Sequence, residues 1–600
     1  MISRALLRLL LGSLFVFSGI CGRARSTTEA RDSSLVKLPN FEITAHRALP
    51  PPEAWRYAEI PGFEILSSGS DRETQRLLRE FRLFNQALGV VWPALLGGNP
   101  NPVSIVLCGR RGEFARFTPA NFSSEGEQGF ASLFLRNQER SVIVVDLQTR
   151  ELALSALAGF SSVGGVENSG YIEVDSDTQL FREYVHSLLA RANPRLPAWL
   201  EEGLAQLLTG MKFSENSIEF ARLDDPDTVS VSYANTAAAG AAAAEAGDTT
   251  GLVVTASGED RAFNAALART SLMPLGDLFA VSRDSSIARN PIGSKWAKQS
   301  SAFIHMCLYQ RRSPYQQGFV KFVMRATREP VTEALFEECF GVNFKQMQLE
   351  LRGYINFTSY KALTWNAPRG QGFATPAPLA LRDATDAEVG RIKGEALSLA
   401  EAPEAARTEL IAPYLRGERD PQLLGALGLH EMALPHTERA QRFLEAATVG
   451  GVKRPLVYVE LARLKYRAAL ARGATPGAEF SATERDALVQ LLLTARNLPP
   501  VLPEVYEVLS DVLALCSSPP AEETMQVLYE GVARFPGRLG LIYQTAVLCQ
   551  RRGDLERANS LVEHGLQYAP TGEPQERFAA LKANLGASGG SMAPPPTKSE

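Results

Sequence analysis

Four side chains between residues 182 and 202 resemble, in type and spacing, the metal site of a hydrolase. Arg182, Glu183 and His186 form the pattern R-E-x-x-H. In H-E-x-x-H, two imidazoles one helical turn apart bind one zinc ion, and the glutamate beside them is the general base. A third protein ligand and an open position for water complete such a site. Glu202, on the next predicted helix, is the candidate for the third ligand.

The first ligand position departs from this pattern, because Arg182 stands where the first histidine is required. A guanidinium stays protonated and has no lone pair to give to a metal. Only His186 and Glu202 remain as ligands, so we expect no cofactor. If the site is functional, we expect the cofactor to be zinc. We hypothesise that Arg182 replaces the metal by pairing with Glu202, and also with Glu183, since arginine and carboxylate groups pair well.

Two helices are predicted to position these groups. The first runs from an N-cap at Asp177 to Ala192, where Asn193-Pro194 ends it. The second begins near Pro197, a residue favoured in the first helical turn, and ends near Gly210. A lone R-E-x-x-H is more often a solvated helix face than a site.

The second helix carries its own motif, made of Pro197, Trp199, Leu200, Glu202, Gly203, Leu204 and Ala205. The two motifs together resemble those of the gluzincin metallopeptidases of the peptidase MA-like group, in which HExxH is followed by a P-x-W-L-x-E-G-L-A helix. The stretch from Gln299 to His305 is similar to the next helix of such domains. The resemblance spans about residues 55–360.

This resemblance implies Glu183 as general base and His186 and Glu202 as second and third metal ligands, with Trp199 and Gly203 as supporting motif residues. The residues themselves also allow plainer roles. Glu202 fits an early-helix acid stabilised by the helix dipole. Trp199 is expected in the core rather than against a substrate. His305, the only other histidine of this region, lies between apolar residues and is expected to be a core histidine.

The N-terminus has the features of a secretion signal. Arg4 and Arg8 precede an apolar stretch from Leu9 to Ile20, and small residues allow cleavage after Ala24. We expect an exported, periplasmic or extracellular protein without a transmembrane segment in the mature chain. An uncleaved anchor is the alternative. Lipid anchoring at Cys21 is not expected, because the bulky Ile20 precedes it.

Composition excludes several classes of function. A net charge of −4 over 600 residues gives no basic field, so we expect no nucleic-acid partner. The five cysteines after residue 24 include no CxxC pair and predict buried free thiols. The sequence has no GxxxxGK[ST] phosphate-binding loop.

The chain is predicted to have an α+β N-terminal layer, a mainly helical gluzincin-like domain and an all-α TPR-like repeat domain. The segments are a signal peptide (1–24), an exposed lead-in (25–52), a small α/β subdomain (53–175), the helical peptidase-like domain (176–362), a linker (363–385), the TPR-like repeats (386–585) and a disordered tail (586–600). Residues 235–251 are rich in Ala and Gly and are expected to be a mobile insertion.

Local patterns predict the elements of the α/β subdomain. Leu77, Phe81, Phe84 and Leu88 fall on one face of a helix over 71–91. Apolar runs predict strands at 63–66, 102–107, 130–135 and 141–145.

A period of 34 residues marks the C-terminal half. It relates Pro536 to Pro570, Gly531 to Gly565, and Gly428 to Ala462. This is the period of TPR units, each a pair of helices. A generic helical bundle is the alternative.

Three functions remain open. The first is a catalytically impaired peptidase-like module with a TPR-like scaffold that contacts a protein or peptide, since stacked hairpins leave an extended binding surface. The second is an active zinc metallopeptidase in which Glu183 activates water. The third is a structural spacer without a ligand.

Overall fold

The structure is a computed structural model. It describes residues 38–39, 51–96, 102–120, 122, 130–149, 151–153, 171–173, 175–220, 255–256, 267, 271–289, 291, 294–310, 314–357, 363–368, 372–373, 376–434, 436–472, 481–516 and 518–589. The predictions for the signal peptide, for residues 235–251 and for most of the tail lie outside these residues.

Twelve strands in the described residues form three sheets. They are β1 Arg56–Ile60, β2 Phe63–Ser67, β3 Val103–Cys108, β4 Ser132–Arg136, β5 Ser141–Asp146, β6 Glu151–Ala153, β7 Tyr171–Glu173, β8 Lys212–Phe213, β9 Ser217–Phe220, β10 Thr255–Ala256, β11 Leu363–Asn366 and β12 Arg382–Asp383. The main sheet has the order β12-β1-β2-β3-β5-β4, with β2, β3 and β5 parallel. The smaller sheets have the orders β10-β7-β6 and β11-β9-β8.

The helices before the C-terminal array are α1 Asp71–Val91, α2 Ser176–Leu189, α3 Ala198–Thr209, α4 Leu275–Ala280, α5 Ser286–Arg289, α6 Lys295–Tyr309, α7 Gln316–Ala326, α8 Glu333–Phe340 and α9 Phe344–Phe357. The array itself consists of α10 Asp386–Leu399, α11 Pro403–Leu415, α12 Pro421–Met432, α13 Thr437–Val449, α14 Pro455–Ala471, α15 Ala482–Arg496, α16 Pro503–Ala514, α17 Glu522–Arg534, α18 Leu539–Arg552, α19 Leu555–Tyr568 and α20 Glu573–Gly589. No helix in the described ranges is long and apolar enough to cross a membrane.

The observed bounds of helix α1, Asp71–Val91, confirm the prediction from the sequence. The Ser70 side chain caps it by accepting from the backbone N–H of Glu73, which satisfies a free donor of the first turn. The predicted apolar face (Leu77, Phe81, Phe84, Leu88) is fully buried. It covers one face of the main sheet.

The main sheet is buried on both faces. The row Ile65, Ile105 and Ile143 joins the core formed with α1 and the helices of residues 176–357. The next row along the strands, Leu66, Val106 and Val144, points the opposite way because side chains alternate across a strand. It packs against apolar side chains of α10, including Val389 and Ile392. The first helix of the array is therefore a layer of the α/β core.

The predicted all-α array is confirmed, and its consecutive helices pair as hairpins. The glycines of the 34-residue period lie where helices approach closely. A Cβ at Gly531 would lie 2.5 Å from the Tyr506 ring, and one at Gly565 would overlap the Phe578 ring. A Cβ at Gly428 would lie 2.7 Å from the Leu444 side chain.

Buried ion pairs tie the array to the sheet. Arg454, just before α14, donates to Glu139 in the β4–β5 turn (2.8 Å) and to Glu395 on α10 (2.7 Å). All three side chains are at least 90% buried. Arg391 on α10 binds both oxygens of Glu64 on β2, at 3.0 and 3.1 Å. Because Glu139 and Glu64 of the sheet pair with Arg454 and Arg391 of the array, these contacts favour one docked arrangement.

The structure differs from the sequence predictions in two connecting segments. Within the predicted linker 363–385, β11 pairs with β9 and β12 pairs with β1, so both ends of the segment are attached to sheets. Within the lead-in, which is predicted to be exposed, Pro39 is buried. Composition rich in Pro, Gly and small residues is typical of loops, and it carries no signal for backbone pairing or for docking on a distant helix.

Candidate functional site

Helices α2 and α3 bring the predicted site residues together. The N-cap of α2 is Asp175, two residues before the predicted Asp177, and its carboxylate accepts from the backbone N–H groups of Asp177 and Thr178. Helix α2 lies against β4 and β5, and α3 packs on α2 and α6. Pro197 is the N-cap of α3 rather than a first-turn residue.

Gly203 sets the distance between α3 and α6. A Cβ at this position would lie 2.5 Å from the Ile304 side chain and 3.0 Å from the backbone oxygen of Ser300. The helices therefore approach closely only with glycine here. Trp199, one turn earlier, is fully buried among aromatic rings of other helices, with its centroid 5.0 Å from that of Phe279. The prediction that Trp199 belongs to the core is confirmed.

Arg182, His186 and Glu202 form one buried polar cluster. The Arg182 Nη2 donates to Glu202 Oε1 at 2.8 Å, and His186 Nε2 lies 3.1 Å from Glu202 Oε2. The Arg182 and Glu202 side chains are 5% and 3% exposed, whereas His186 is 19% exposed. The hypothesised Arg182–Glu202 pair is therefore present, and His186 forms the more open side of the cluster.

The charges of the cluster shift two pKa values. Burial alone raises the pKa of the Glu202 carboxyl, but the charge of Arg182 and the hydrogen bonds from His186 and Gln206 lower it to about 2. Burial lowers the pKa of His186, but Glu202 outweighs that effect and raises the pKa above its usual value. Glu202 is therefore ionised at neutral pH. Since a carboxylate only accepts, His186 carries a proton on Nε2.

Gln206 completes the coordination of Glu202 and was not predicted. Its Nε2 donates to Glu202 Oε1 at 3.0 Å. A glutamine one turn after Glu202, on the buried and otherwise apolar end of α3, is the signal in the sequence that points to it. Glu202 thus accepts two bonds on one oxygen and one on the other.

Glu183, the predicted general base, takes part in a different contact. Its Oε1 lies 2.7 Å from the Ser132 hydroxyl on β4, which is also 2.9 Å from Gln179 Oε1. A hydroxyl has one proton, so Ser132 donates to one of the two at a time. No pattern in the sequence predicts the role of Ser132, because sheet pairing alone brings it to α2.

The side chains present do not fit a zinc ion. Both carboxylate oxygens of Glu202 already accept hydrogen bonds, from Arg182, Gln206 and His186. The His186 nitrogen that faces Glu202 carries a proton. The Arg182 guanidinium also puts a positive charge beside the only carboxylate of the cluster. In the described part of the chain, no group of three His, Cys, Asp or Glu side chains is arranged to hold a metal.

Other predicted roles can be checked directly. His305 Nδ1 lies 2.8 Å from the Tyr354 hydroxyl, and the imidazole is buried, so this residue is a satisfied core histidine as predicted. Glu201, beside Glu202, pairs with Arg195 (3.2 Å) and Arg283 (3.0 Å). The five thiols within the described ranges are free, and all of these are buried except that of Cys339, which is partly exposed.

No family model matches the chain, and no curated protein matches it. A crystal structure of MamA is 14% identical over 32% of this chain and 94% of its own, with a TM-score of 0.24. Pseudomonas aeruginosa pilF is 12% identical over 34% of this chain and 93% of its own (TM-score 0.25). A thermophilic TPR protein of Thermus thermophilus is 18% identical over 33% of this chain and 99% of its own (TM-score 0.23). At these TM-scores the similarities carry no conclusion about this chain.

Proposed function

We propose that this protein is an exported, non-catalytic scaffold. In this proposal, a gluzincin-like domain has lost its metal chemistry, and the helical array, built from TPR-like units, contacts a protein or peptide partner in the cell envelope. The proposed loss of metal chemistry rests on the ion pair between Arg182 and Glu202. A cation of the chain itself takes the carboxylate that a metal would require.

Two further features support the loss of hydrolysis. His186 donates to Glu202 instead of offering a lone pair, so the second ligand position is also occupied by a protein contact. Glu183 is held by Ser132. A hydrolytic site needs at least three ligands and a free position for water, and this cluster has neither.

The scaffold half of the proposal rests on the array. Stacked helical hairpins expose continuous surface along their length, which suits extended peptides and partner proteins. The buried charges of Glu139, Glu395 and Arg454 hold the array against the sheet. A partner bound by the array would therefore be held at a fixed position relative to the peptidase-like part. Export itself is proposed from the N-terminal residues alone.

The experiment that tests this function measures peptide hydrolysis. The chain beginning at residue 25, loaded with zinc, is incubated with a library of fluorescence-quenched peptides beside its Glu183→Gln variant. We expect both proteins to give the same background rate. Cleavage by the native chain that a chelator and Glu183→Gln both abolish would overturn the proposal and support an active metallopeptidase.

A further inference from the structure

Two residues of the lead-in, Leu38 and Pro39, lie on the helical array far away in sequence. The Tyr414 hydroxyl donates to the Pro39 carbonyl at 2.7 Å, and Pro39 is buried. Leu38 is half-buried and packs against the hydrophobic core of the array. An apolar side chain and a backbone carbonyl are thus both bound, which is how extended peptides are commonly recognised.

The surface that receives them lies between the first two hairpins of the array. Tyr414, near the end of α11, is only 4% exposed. Its ring stands edge-on to Phe443 of α13, with centroids 5.2 Å apart. The Arg419 guanidinium lies 4.0 Å from the centroid of the Tyr414 ring. Packing on both sides fixes the ring, so its hydroxyl is oriented toward the Pro39 carbonyl.

The dipeptide suits this surface chemically. A proline has no N–H, so its carbonyl is its only backbone group that needs a partner. The proline also restricts the preceding residue, here Leu38, to extended conformations. A Leu-Pro segment therefore loses little conformational entropy when it docks in extended form.

A second contact anchors the same segment further along. Glu53, where the lead-in joins the sheet, accepts from the fully buried Lys393 of α10 at 2.7 Å. Lys393 also contacts Glu409 on α11 at 3.0 Å. The chain is thus attached to the first hairpin at two points, Pro39 within the lead-in and Glu53 just after it.

We propose that the surface around Tyr414 and Phe443 is a binding site for extended Leu-Pro peptides, and that Leu38 and Pro39 of the same chain occupy it. The site is therefore self-blocked, and an external peptide of this kind binds only after Leu38 and Pro39 leave. The contact of Leu38 and Pro39 with the array is independent of the proposed scaffold function. Only its consequence for external partners rests on that function.

Tethering makes the block strong. Because Leu38 and Pro39 belong to the same chain as the site, they compete with a free peptide at an effective concentration on the order of mM. A free peptide with the same contacts must exceed that concentration to displace the lead-in. Its apparent affinity for the native chain is then weaker than for a chain whose lead-in is released, by a factor of about ten or more.

The test uses a labelled synthetic peptide with the sequence of residues 33–44, titrated by fluorescence anisotropy into the chain beginning at residue 25. The native chain and its Leu38→Asp variant are compared. Leu38→Asp places a charge against the apolar core, releases the lead-in and leaves the array intact. We expect the variant to bind the peptide about tenfold or more tightly than the native chain.

Two matched changes show that the binding uses this surface. Tyr414→Phe in the Leu38→Asp chain removes one hydrogen bond and should weaken the peptide about two- to tenfold, whereas Tyr543→Phe on α18 should leave it unchanged. A peptide that itself carries Leu38→Asp should not bind, and this control needs no change to the protein. Equal affinity of the native and Leu38→Asp chains, absence of binding to both, or insensitivity to Tyr414→Phe would each overturn the self-blocked site. None of these results bears on the Arg182–Glu202 cluster, which metal and hydrolysis measurements test separately.

Discussion

Arg182 on α2 and Glu202 on α3 form an ion pair of 2.8 Å across two helices, with both side chains at least 95% buried. The two residues stand where the sequence motifs predict the first and third zinc ligands, and their charges cancel without a metal. This relationship predicts consequences for stability that a surface ion pair would not have, because a buried charge left alone cannot be solvated.

Replacing Arg182 by methionine is expected to destabilise the protein strongly. Arg182→Met keeps much of the side-chain volume but leaves the Glu202 carboxylate buried without its cation. Loss of one partner of a buried pair costs about 3–5 kcal/mol. The measurement is the free energy of unfolding from urea titration. Arg195→Met is the control, because Arg195 is 38% exposed in its pair with Glu201, and a cost below about 1 kcal/mol is expected there. Similar losses in the two variants would contradict the account.

Acid should weaken the protein through Glu202. Its pKa in the folded chain is about 2, below the ordinary 4.5, so its contribution is fully present above pH 4.5 and disappears as the pH falls toward 2. The shift corresponds to about 3 kcal/mol. Urea titrations from pH 6 down to the lowest pH at which the chain remains folded should show a smaller acid-dependent loss in Glu202→Gln than in the native chain. Parallel pH profiles for the two proteins would show that Glu202 is not the responsible group.

A methyl group at Gly203 should separate α3 from α6. The added Cβ of Gly203→Ala would meet the Ser300 backbone, which cannot rotate away as a side chain can. Overpacking of this kind costs about 1–3 kcal/mol. Gly353→Ala is the matched control within helix α9, where a Cβ meets nothing within 4 Å. Alanine is the better helix former, so this variant should gain about 0.5–1 kcal/mol. Thermal unfolding of both variants gives the comparison, and loss of stability in both would contradict the specific role of Gly203.

The α/β core and the array should unfold together. All five tryptophans lie before residue 386, so tryptophan fluorescence reports on the N-terminal part, whereas far-UV circular dichroism also reports on the array. Coincident urea transitions are expected because α10 covers one face of the main sheet and Arg454 joins the two parts. Arg454→Met should lower stability by about 3–5 kcal/mol, while Arg463→Met, which breaks the more exposed pair with Glu460, should cost less than about 1 kcal/mol. Two separate transitions in the native chain would show that the parts are independent.

Much of this architecture was predictable because it depends on local periodicity. The bounds of α1 and the helices carrying R-E-x-x-H and the Glu202 motif follow from patterns within one or two turns. The Arg182–Glu202 pair was also predictable, because the two residues carry opposite charges and the sequence places them on two consecutive predicted helices.

The remaining features depend on contacts between residues far apart in sequence. Ser132 reaches Glu183 through sheet geometry, and Pro39 reaches Tyr414 across 375 positions of the chain. The docking of α10 on the sheet could not be predicted for the same reason. The sequence pattern indicates a separate helical domain, and an amphipathic helix shows that one of its faces is buried without showing what covers that face.

A histidine at position 182 offers a gain-of-function comparison. Arg182→His removes the guanidinium and restores the H-E-x-x-H spacing with Glu202 on the next helix. If the remaining site is intact, this variant should retain zinc through gel filtration. Failure of Arg182→His to gain zinc would show that other parts of the site have also diverged.

The most direct test of the central claim is the metal content of the native chain beginning at residue 25. The protein is loaded with zinc, desalted and analysed for metals by elemental analysis. The account predicts much less than one zinc per chain, because the Arg182 guanidinium already neutralises Glu202 and His186 donates to the same carboxylate. About one tightly held zinc per chain, lost in a Glu202→Gln variant, would contradict it.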